Sequence, residues 1–374
     1  VRFDDEFIRH ALWRNFYDPY EWCWSNGRSR WDLLDVVRMV RALRPDGIKW
    51  PVDDSGKAVN KLELLAKEND LLHTKAHDAL SDVEALIGMS KLIRDTQPRM
   101  FDYLLRMRAK REVLKLVNLE APAPFVYSSG RYDPALQKTT VAYPVTMGAK
   151  PGSLLVWDAR HDPTPYLRAS PQQLASIIFA DREARAVEGF ESLPVKELSP
   201  NKCPAVAPLG VLDEPALQRL EIKLEDIHKH VSILASNPTF GEALRTAYEM
   251  REPYEQSSDV ESQLYNGFGD NKDKPRSEAV RNASPDELAD FHPNFADERL
   301  TQLLIRYKAR NYPQSLSEDE RTAWEAYRTQ KLQSTLPRYL ETLQKMAISG
   351  RPFDTFILEE LQLWAEAIVP VPGE

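Results

Sequence analysis

The sequence predicts a chain of mixed class, in which a helical α/β region is followed by a small β-barrel or sandwich and then by an all-α region. Three observations support this prediction. Short helix-like segments surround acidic residues in residues 1–97, strand-like runs cluster between 120 and 200, and three long amphipathic segments follow position 285. A length of 374 residues gives room for two or three domains with buried cores.

Composition excludes several classes of protein. With 42% hydrophobic and 28% charged residues the chain has the balance of a globular protein, and no run approaches the ~18–20 apolar residues of a membrane span. Cys23 and Cys203 lie too far apart in the sequence for a metal or redox pair, which predicts a reduced, cytoplasmic protein. The net charge of −8 does not favour nucleic-acid binding, although a basic channel can lie within an acidic exterior.

Residues 1–50 combine aromatic and arginine side chains. Apolar spacing and the positions of Pro19 and Pro45 predict a short helix over 9–17 and a longer one over 31–43. Aromatic rings beside guanidinium groups suit single-stranded nucleic acid, because bases stack on the rings while arginines bind phosphates. The alternative is that most of these rings are core. Five of the eight tryptophans fall here, namely Trp13, Trp22, Trp24, Trp31 and Trp50.

After a loop over 46–60 and a helix over 61–69, an acidic cluster opens a helix over 76–93. Asp78 and Asp82 are four residues apart and share a helix face, and His77 lies just before them. A carboxylate that holds a metal and a histidine that moves a proton are what phosphodiester hydrolysis needs. The alternative is a capped surface helix. His73 and His77 also have zinc-like spacing, but no glutamate directly follows His73, which disfavours a zinc site.

The remaining segments follow in order. A basic amphipathic helix over 98–116 is either a phosphate-contacting strut or a solvated linker. Strand-like runs with a helical insertion over 171–183 precede a helical stretch over 215–250, and a polar loop or linker covers 255–285. The strands are predicted over 125–127, 139–145 and 153–157. The long helices are predicted over 297–311, 318–347 with a kink at Pro337, and 355–367.

Seven short motifs are spread over the whole chain: VRFDDE (1–6), RNFYDPY (14–20), SRWDLLD (29–35), HDALSDV (77–83), NKCP (201–204), QLYNGF (263–268) and YKARNYP (307–313). Together they resemble bacterial exonuclease I, a DEDD exonuclease with a catalytic histidine. The resemblance implies the C-terminal part of a ribonuclease-H-like exonuclease domain over 1–97, an SH3-like barrel over 98–250 and a helical domain over 251–374. It also implies two-metal hydrolysis of single-stranded DNA from 3′ to 5′ into mononucleotides, in DNA repair and recombination.

Carried over residue by residue, the resemblance implies a site for chemistry and a path for DNA. Asp4 and Asp82 would help hold Mg²⁺, and His77 would orient or deprotonate the attacking water. Asp78 receives no ligand role and suits helix capping. The implied contacts to single-stranded DNA are Arg9, Tyr20, Trp24, Arg38, Lys61, Tyr103 and Lys202.

Three further expectations concern DNA, a protein partner and the oligomeric state. Lys61 stands where the family has an arginine, so the charge is kept while bidentate phosphate contact is lost. The family binds the C-terminal tail of single-stranded DNA-binding protein, and Arg44, in the segment ALRP (42–45), is the residue expected to hold the tail carboxylate. The protein is expected to act as a monomer.

One family motif, an Asp-x-Glu pair on the first strand of the nuclease domain, is not in this sequence and should lie before Val1. We therefore expect a truncated chain that is inactive alone, and a full-length protein that degrades single-stranded DNA.

Two other interpretations stay open. One is a non-catalytic DNA-binding or adaptor protein, which would bind single strands without Mg²⁺-dependent cleavage. The other is a metal-dependent hydrolase of small phosphoesters, which would cleave nucleotides but not polymers.

Overall fold

The computed structural model describes residues 2–71, 79–253, 256–267, 269–348 and 355–369. The chain forms two compact units, one made of Val1–Ser25 with Tyr254–Glu374 and one made of Asn26–Pro253. The start of the chain therefore folds with its last third, which no local sequence pattern indicates. The domain boundaries at 97/98 and 250/251 stay predictions.

The described residues form helices and one sheet. The helices are α1 (Arg2–Arg14), α2 (Leu33–Leu43), α3 (Leu62–Glu68), α4 (Ala79–Thr96), α5 (Pro98–Arg106), α6 (Lys110–Leu116), α7 (Pro171–Ile178), α8 (Arg182–Arg185), α9 (Glu214–Arg219), α10 (Leu224–Ala235), α11 (Pro238–Glu249), α12 (Asp273–Asn282), α13 (Pro285–Ala289), α14 (Glu298–Asn311), α15 (Glu318–Ile348) and α16 (Thr355–Ala367). The strands are β1 (Phe125–Ser128), β2 (Thr139–Met147), β3 (Leu154–Asp158), β4 (Val195–Leu198) and β5 (Ala205–Pro208). No helix in these described ranges combines the length and the apolarity needed to cross a membrane.

The first unit is built around the C-terminal end of α1. Trp13 is only 7% exposed, and its Nε1 donates a hydrogen bond to the carbonyl oxygen of Val260, 3.1 Å away. Phe16 is also buried, and its ring contacts those of Phe295 and Tyr307 at centroid distances of 5.8 and 5.5 Å. These contacts bury apolar surface between segments far apart in sequence, which is what holds the unit together.

The first predicted helix is wrong at both ends. The helix expected over 9–17 runs instead from Arg2 to Arg14, with Asp4 and Asp5 in its first turn, where carboxylates favour a helix N-terminus. It stops before Pro19 because Phe16 takes a left-handed backbone conformation, with φ of 62°.

The other helix predictions are mostly confirmed, with two corrections. The basic helix expected over 98–116 is two helices, α5 and α6, with a break at 107–109. The polar segment 255–285 is not all loop, since α12 lies within it. Only Asp273 and Val280 of α12 are buried, so this helix has no apolar stripe that a sequence pattern could detect.

The second unit contains a five-stranded antiparallel sheet with strand order β4-β3-β2-β1-β5. The predicted strands β1 to β3 are confirmed, and the pairing of β2 with β3 shifts register between Pro144 and Thr146. Strands β4 and β5 were missed because VKEL and AVAP are short and poor in the β-branched and aromatic residues that mark strands.

Both faces of the sheet pack against helices. On one face Val126 and Val141 share a core with Val37 and Val40 of α2. On the other, Tyr143, Leu155 and Trp157 pack with α7 and α11. Burial on both sides makes the sheet a rigid support for the helix ends and loops around it.

Candidate nucleic-acid interface

In the first unit, Arg9 of α1 is held over an aromatic ring. Its guanidinium carbon lies 5.1 Å from the centroid of the Tyr20 ring, within cation–π range. Asp5 and Glu6 each approach the guanidinium to 3.9 Å, and Arg9 Nη1 donates to the hydroxyl of Tyr265 at 3.4 Å. Burial acts to lower the pKa of Arg9, but Tyr265 and the two carboxylates raise it, so the cation is kept.

The loop after α1 presents aromatic rings. Tyr20 and Trp24 flank the short 3₁₀ turn Glu21–Cys23, and Trp24 is 60% exposed. The Asp18 carboxylate orders this loop by accepting hydrogen bonds from the backbone N–H of Tyr20 and of Glu21, at 2.9 and 3.0 Å. Exposed rings on an ordered loop beside a cation can stack on bases.

The predicted aromatic track is therefore only partly an interface. Trp13 belongs to the core, contrary to a stacking role. Trp22, Trp31 and Trp50 are half-buried, and the indole N–H groups of Trp22 and Trp50 are satisfied by backbone carbonyls. Among the five tryptophans of residues 1–50, Trp24 is the one that is exposed.

In the second unit, Arg38 of α2 lies against the sheet. Its Nη1 donates to Asp35 Oδ1 at 2.5 Å, and a Cβ placed on Gly130 would come within 3.1 Å of both terminal guanidinium nitrogens.

Sequence reasoning missed Lys196, whose ammonium lies 4.3 Å from the ring centroid of Tyr127. Burial lowers the pKa of Lys196 to about 7, and the Asp35 carboxylate only partly offsets this effect. A lysine in a strand too short to predict gave no usable signal.

The remaining predicted DNA contacts lie at separate places in the second unit. Lys61 is exposed at the residue before α3, and Lys202 is exposed at the end of the 3₁₀ turn Pro200–Lys202. Tyr103 of α5 is half-buried, with the guanidinium of Arg106 5.9 Å from its ring centroid, and burial raises its pKa to about 12.

Arg44, the expected tail-binding residue, is partnered inside the chain. Its Nη1 lies 3.0 Å from Asp213 Oδ2 and 2.6 Å from the carbonyl oxygen of Leu43, and its Nη2 donates to the carbonyl of Val211 at 2.9 Å. The position thus already binds one carboxylate.

The expected metal ligands are exposed carboxylates. Asp4 lies in the first turn of α1 and Asp82 in the first turn of α4, in different compact units. Their oxygen donors fit a hard divalent cation in type. His77 and Asp78 lie outside the described residues, and within the described ranges no group of three His, Cys, Asp or Glu side chains could hold a metal ion.

Three family models match the chain: Exonuclease over residues 1–89, Exonuclease I SH3-like domain over 108–250, and Exonuclease I C-terminal domain over 258–368. Exodeoxyribonuclease I of Haemophilus influenzae is 35% identical over 347 residues, covering 92% of this chain and 73% of that protein. Exodeoxyribonuclease I of Escherichia coli is 34% identical over 382 residues, covering 99% and 78%.

Solved structures agree. The crystal structure of E. coli exonuclease I in complex with a dA16 oligonucleotide matches with a TM-score of 0.92 at 34% identity, covering 98% of this chain and 79% of that one. Exonuclease I from Methylocaldum szegediense matches with a TM-score of 0.90 at 36% identity, covering 99% and 79%.

These matches confirm the predicted family and the three-part fold class. Because the exonuclease model matches residues 1–89, the expectation that this chain is inactive has no support. The chain belongs to the exonuclease I family of exodeoxyribonucleases.

Proposed function

We propose that this protein is an exonuclease that degrades single-stranded DNA from 3′ to 5′ into mononucleotides, in DNA repair and recombination. Two findings support single-stranded DNA as the substrate class. Relatives bear the name exodeoxyribonuclease I, and structures of the E. coli enzyme contain dA16 and dT13 oligonucleotides. The observation that carries the proposal is the guanidinium of Arg9 within cation–π distance of the Tyr20 ring, next to the exposed ring of Trp24.

The proposed DNA contacts divide by chemistry. Phosphates are bound by the cationic side chains, each of which carries a permanent or easily held positive charge. These are Arg9, Arg38, Lys61 and Lys202. The rings of Tyr20, Trp24 and Tyr103 stack on bases, which gives affinity without sequence preference.

The proposed chemistry is two-metal hydrolysis of a phosphodiester with Mg²⁺, held in part by Asp4 and Asp82. When bound, the cations stabilise negative charge on the transferring phosphoryl group and activate water. A zinc-bound E. coli exonuclease I–DNA complex supports a divalent cation site in the family. His77 is the residue proposed to take the proton from the attacking water, and Asp78 is given no ligand role.

Substitutions test these assignments. We expect His77→Ala to keep binding of an oligothymidylate while lowering Mg²⁺-dependent nucleotide release by ~10²–10⁴-fold, the usual scale for loss of a general base. Asp82→Ala should abolish release through loss of metal, whereas Asp78→Ala, the matched control four residues earlier in the sequence, should have a much smaller effect. Equal sensitivity of Asp78 and Asp82 would show that the ligand assignment is wrong.

The proposed partner is the C-terminal tail of single-stranded DNA-binding protein, with Arg44 holding its carboxylate. A structure of exonuclease I with that protein supports the pairing. The tail carboxylate replaces Asp213, which lies 3.0 Å from Arg44 in the unbound chain. Arg44→Ala should therefore abolish binding of a tail peptide and leave oligothymidylate binding unchanged, and retained peptide binding would refute the role.

We further propose that the protein acts as a cytoplasmic monomer.

A further inference from the structure

Tyr265, in the motif QLYNGF, has no part in the function proposed so far, yet it contacts α1 where Arg9 lies. Its hydroxyl donates to Glu6 Oε2 at 2.6 Å and accepts from Arg9 Nη1 at 3.4 Å. Its ring and that of His10 meet at an interplanar angle of 76°, with a centroid distance of 5.9 Å. One hydroxyl thus connects an acidic and a basic side chain that lie three residues apart on the same helix.

These distances show which contact dominates. Glu6 and Arg9 approach only to 3.9 Å, too far for a direct hydrogen bond, whereas Glu6 and the hydroxyl of Tyr265 form a short one. A glutamate three residues before an arginine on a helix would ordinarily pair with it. Tyr265 occupies the carboxylate instead, so the guanidinium is not drawn into a closed ion pair.

The backbone that carries Tyr265 is fixed independently of this contact. Tyr265 ends the 3₁₀ segment Val260–Tyr265, whose Val260 carbonyl accepts from Trp13 and whose Gln263 carbonyl accepts from Arg299 at 2.7 Å. The segment is therefore attached to both α1 and α14. The residue itself is 52% exposed, so it is not a core residue whose loss would simply leave a cavity.

We propose that Tyr265 is a positioning residue for DNA binding: by holding Glu6 it prevents this carboxylate from competing with a phosphate of the single strand for the guanidinium of Arg9, whose side chain is 12% exposed. The proposal rests on the proposed function, in which Arg9 binds phosphate. Burial and the neighbouring Glu6 raise the pKa of Tyr265 to about 12, so the hydroxyl remains a donor to Glu6 at neutral pH.

The test is binding of a fluorescein-labelled oligothymidylate by anisotropy, in EDTA so that no hydrolysis occurs. Tyr265→Phe removes the hydroxyl and keeps the ring, and should weaken binding about five- to tenfold, the scale of the net contribution of one hydrogen bond. Glu6→Gln added to Tyr265→Phe should restore binding, because a neutral amide no longer competes with phosphate for Arg9. Tyr339→Phe is the matched control, since it removes a hydroxyl whose 3.3 Å hydrogen bond to the Leu361 carbonyl lies in α15 and α16.

The double variant Arg9→Ala with Tyr265→Phe should bind no more weakly than Arg9→Ala alone, because Tyr265 acts through Arg9. If Arg9→Ala weakens binding but Tyr265→Phe does not, or if their effects add, the positioning role is refuted while the proposed function stands. A lack of rescue by Glu6→Gln also refutes it. If Arg9→Ala itself binds normally, the DNA contact proposed for Arg9 fails, and the role of Tyr265 fails with it.

Discussion

Lys196 is a charged residue held where charge is costly. Its ammonium lies 4.3 and 5.2 Å from the ring centroids of Tyr127 and Tyr132 and donates to the hydroxyl of Ser129. Burial lowers its pKa from 10.5 to about 7, Asp35 acts to raise it, and Arg131 and Arg38 act to lower it. The side chain is therefore partly neutral in the folded protein near pH 7, whereas it is fully charged in the unfolded chain.

This difference predicts how stability depends on pH. Between pH 7 and 10.5 the unfolded chain binds more protons at Lys196 than the folded chain, so this residue makes the free energy of unfolding rise with pH across that window. Lys196→Met removes the dependence. The Tm of the variant minus the Tm of the wild type should therefore be most positive at or below pH 7. This difference should decrease as the pH rises toward 10. Thermal unfolding at several pH values measures this, and a difference that is constant with pH would contradict it.

Trp13 and Trp24 give a second prediction about single residues, because the same side chain is core in one place and surface in the other. Trp13→Ala should lower the free energy of unfolding by ~3–5 kcal/mol, as for other buried aromatics. Trp24→Ala should leave the Tm nearly unchanged but weaken oligothymidylate binding by ~1–3 kcal/mol, the value of one stacked base. Unfolding and anisotropy on the two variants form a matched pair. Strong destabilisation by Trp24→Ala would exclude the interface assignment.

The sequence could not separate these two tryptophans. Both lie among arginines, and the partner that buries Trp13 is Val260, 247 residues further on. Local composition reports which residue types are present but not which distant segment covers them. The sequence therefore identified Trp24 as a candidate for stacking on a base, but it did not predict that the ring is exposed.

At the scale of elements, prediction succeeded where amphipathic patterns are strong. Helix α2 has an apolar stripe and a clear N-cap, since Asp32 accepts from the backbone N–H of Leu34 at 3.0 Å, and its predicted end at residue 43 is confirmed. Strand β5, with the sequence AVAP, and helix α12 have no such stripe, and tertiary packing determines them. The position of Arg38 on α2 and that of Arg44 directly after it followed from the helix, but their partners Asp35 and Asp213 did not.

The turn after β1 gives a prediction at this scale. A Cβ on Gly130 would lie 3.1 Å from the guanidinium nitrogens of Arg38, close enough to displace this flexible group. Gly130→Ala should therefore weaken oligothymidylate binding several-fold through Arg38, with little change in Tm. Gly210→Ala, where a Cβ meets nothing within 4 Å, is the control and should bind as the wild type does. Normal binding by Gly130→Ala would show that Arg38 is not a DNA contact.

At the scale of the whole molecule, an acidic chain is proposed to bind an acidic polymer. The net charge of −8 gave no sign of this, because binding depends on where a few cations lie rather than on their sum. Arg9 lies in the first compact unit and Arg38 in the second, so each unit supplies at least one proposed phosphate contact. The assembly of the first unit from the two ends of the chain was the feature of the fold least accessible from sequence, since it depends on contacts between Trp13 and residues near 260.

Salt dependence tests this distribution of charge. Each phosphate contact to a single strand releases ~0.7 counterion, so the slope of log Kd against log salt concentration counts the contacts. Arg9→Ala and Arg38→Ala should each lower that slope by ~0.7, whereas Arg44→Ala should leave it unchanged because Arg44 is assigned to a protein tail. Anisotropy of a labelled oligothymidylate in EDTA, over about a tenfold range of NaCl, measures all three. If neither Arg9→Ala nor Arg38→Ala changed the slope while the wild type remained salt-dependent, other cations would be the ones that neutralise the DNA, and both units would need new contact assignments.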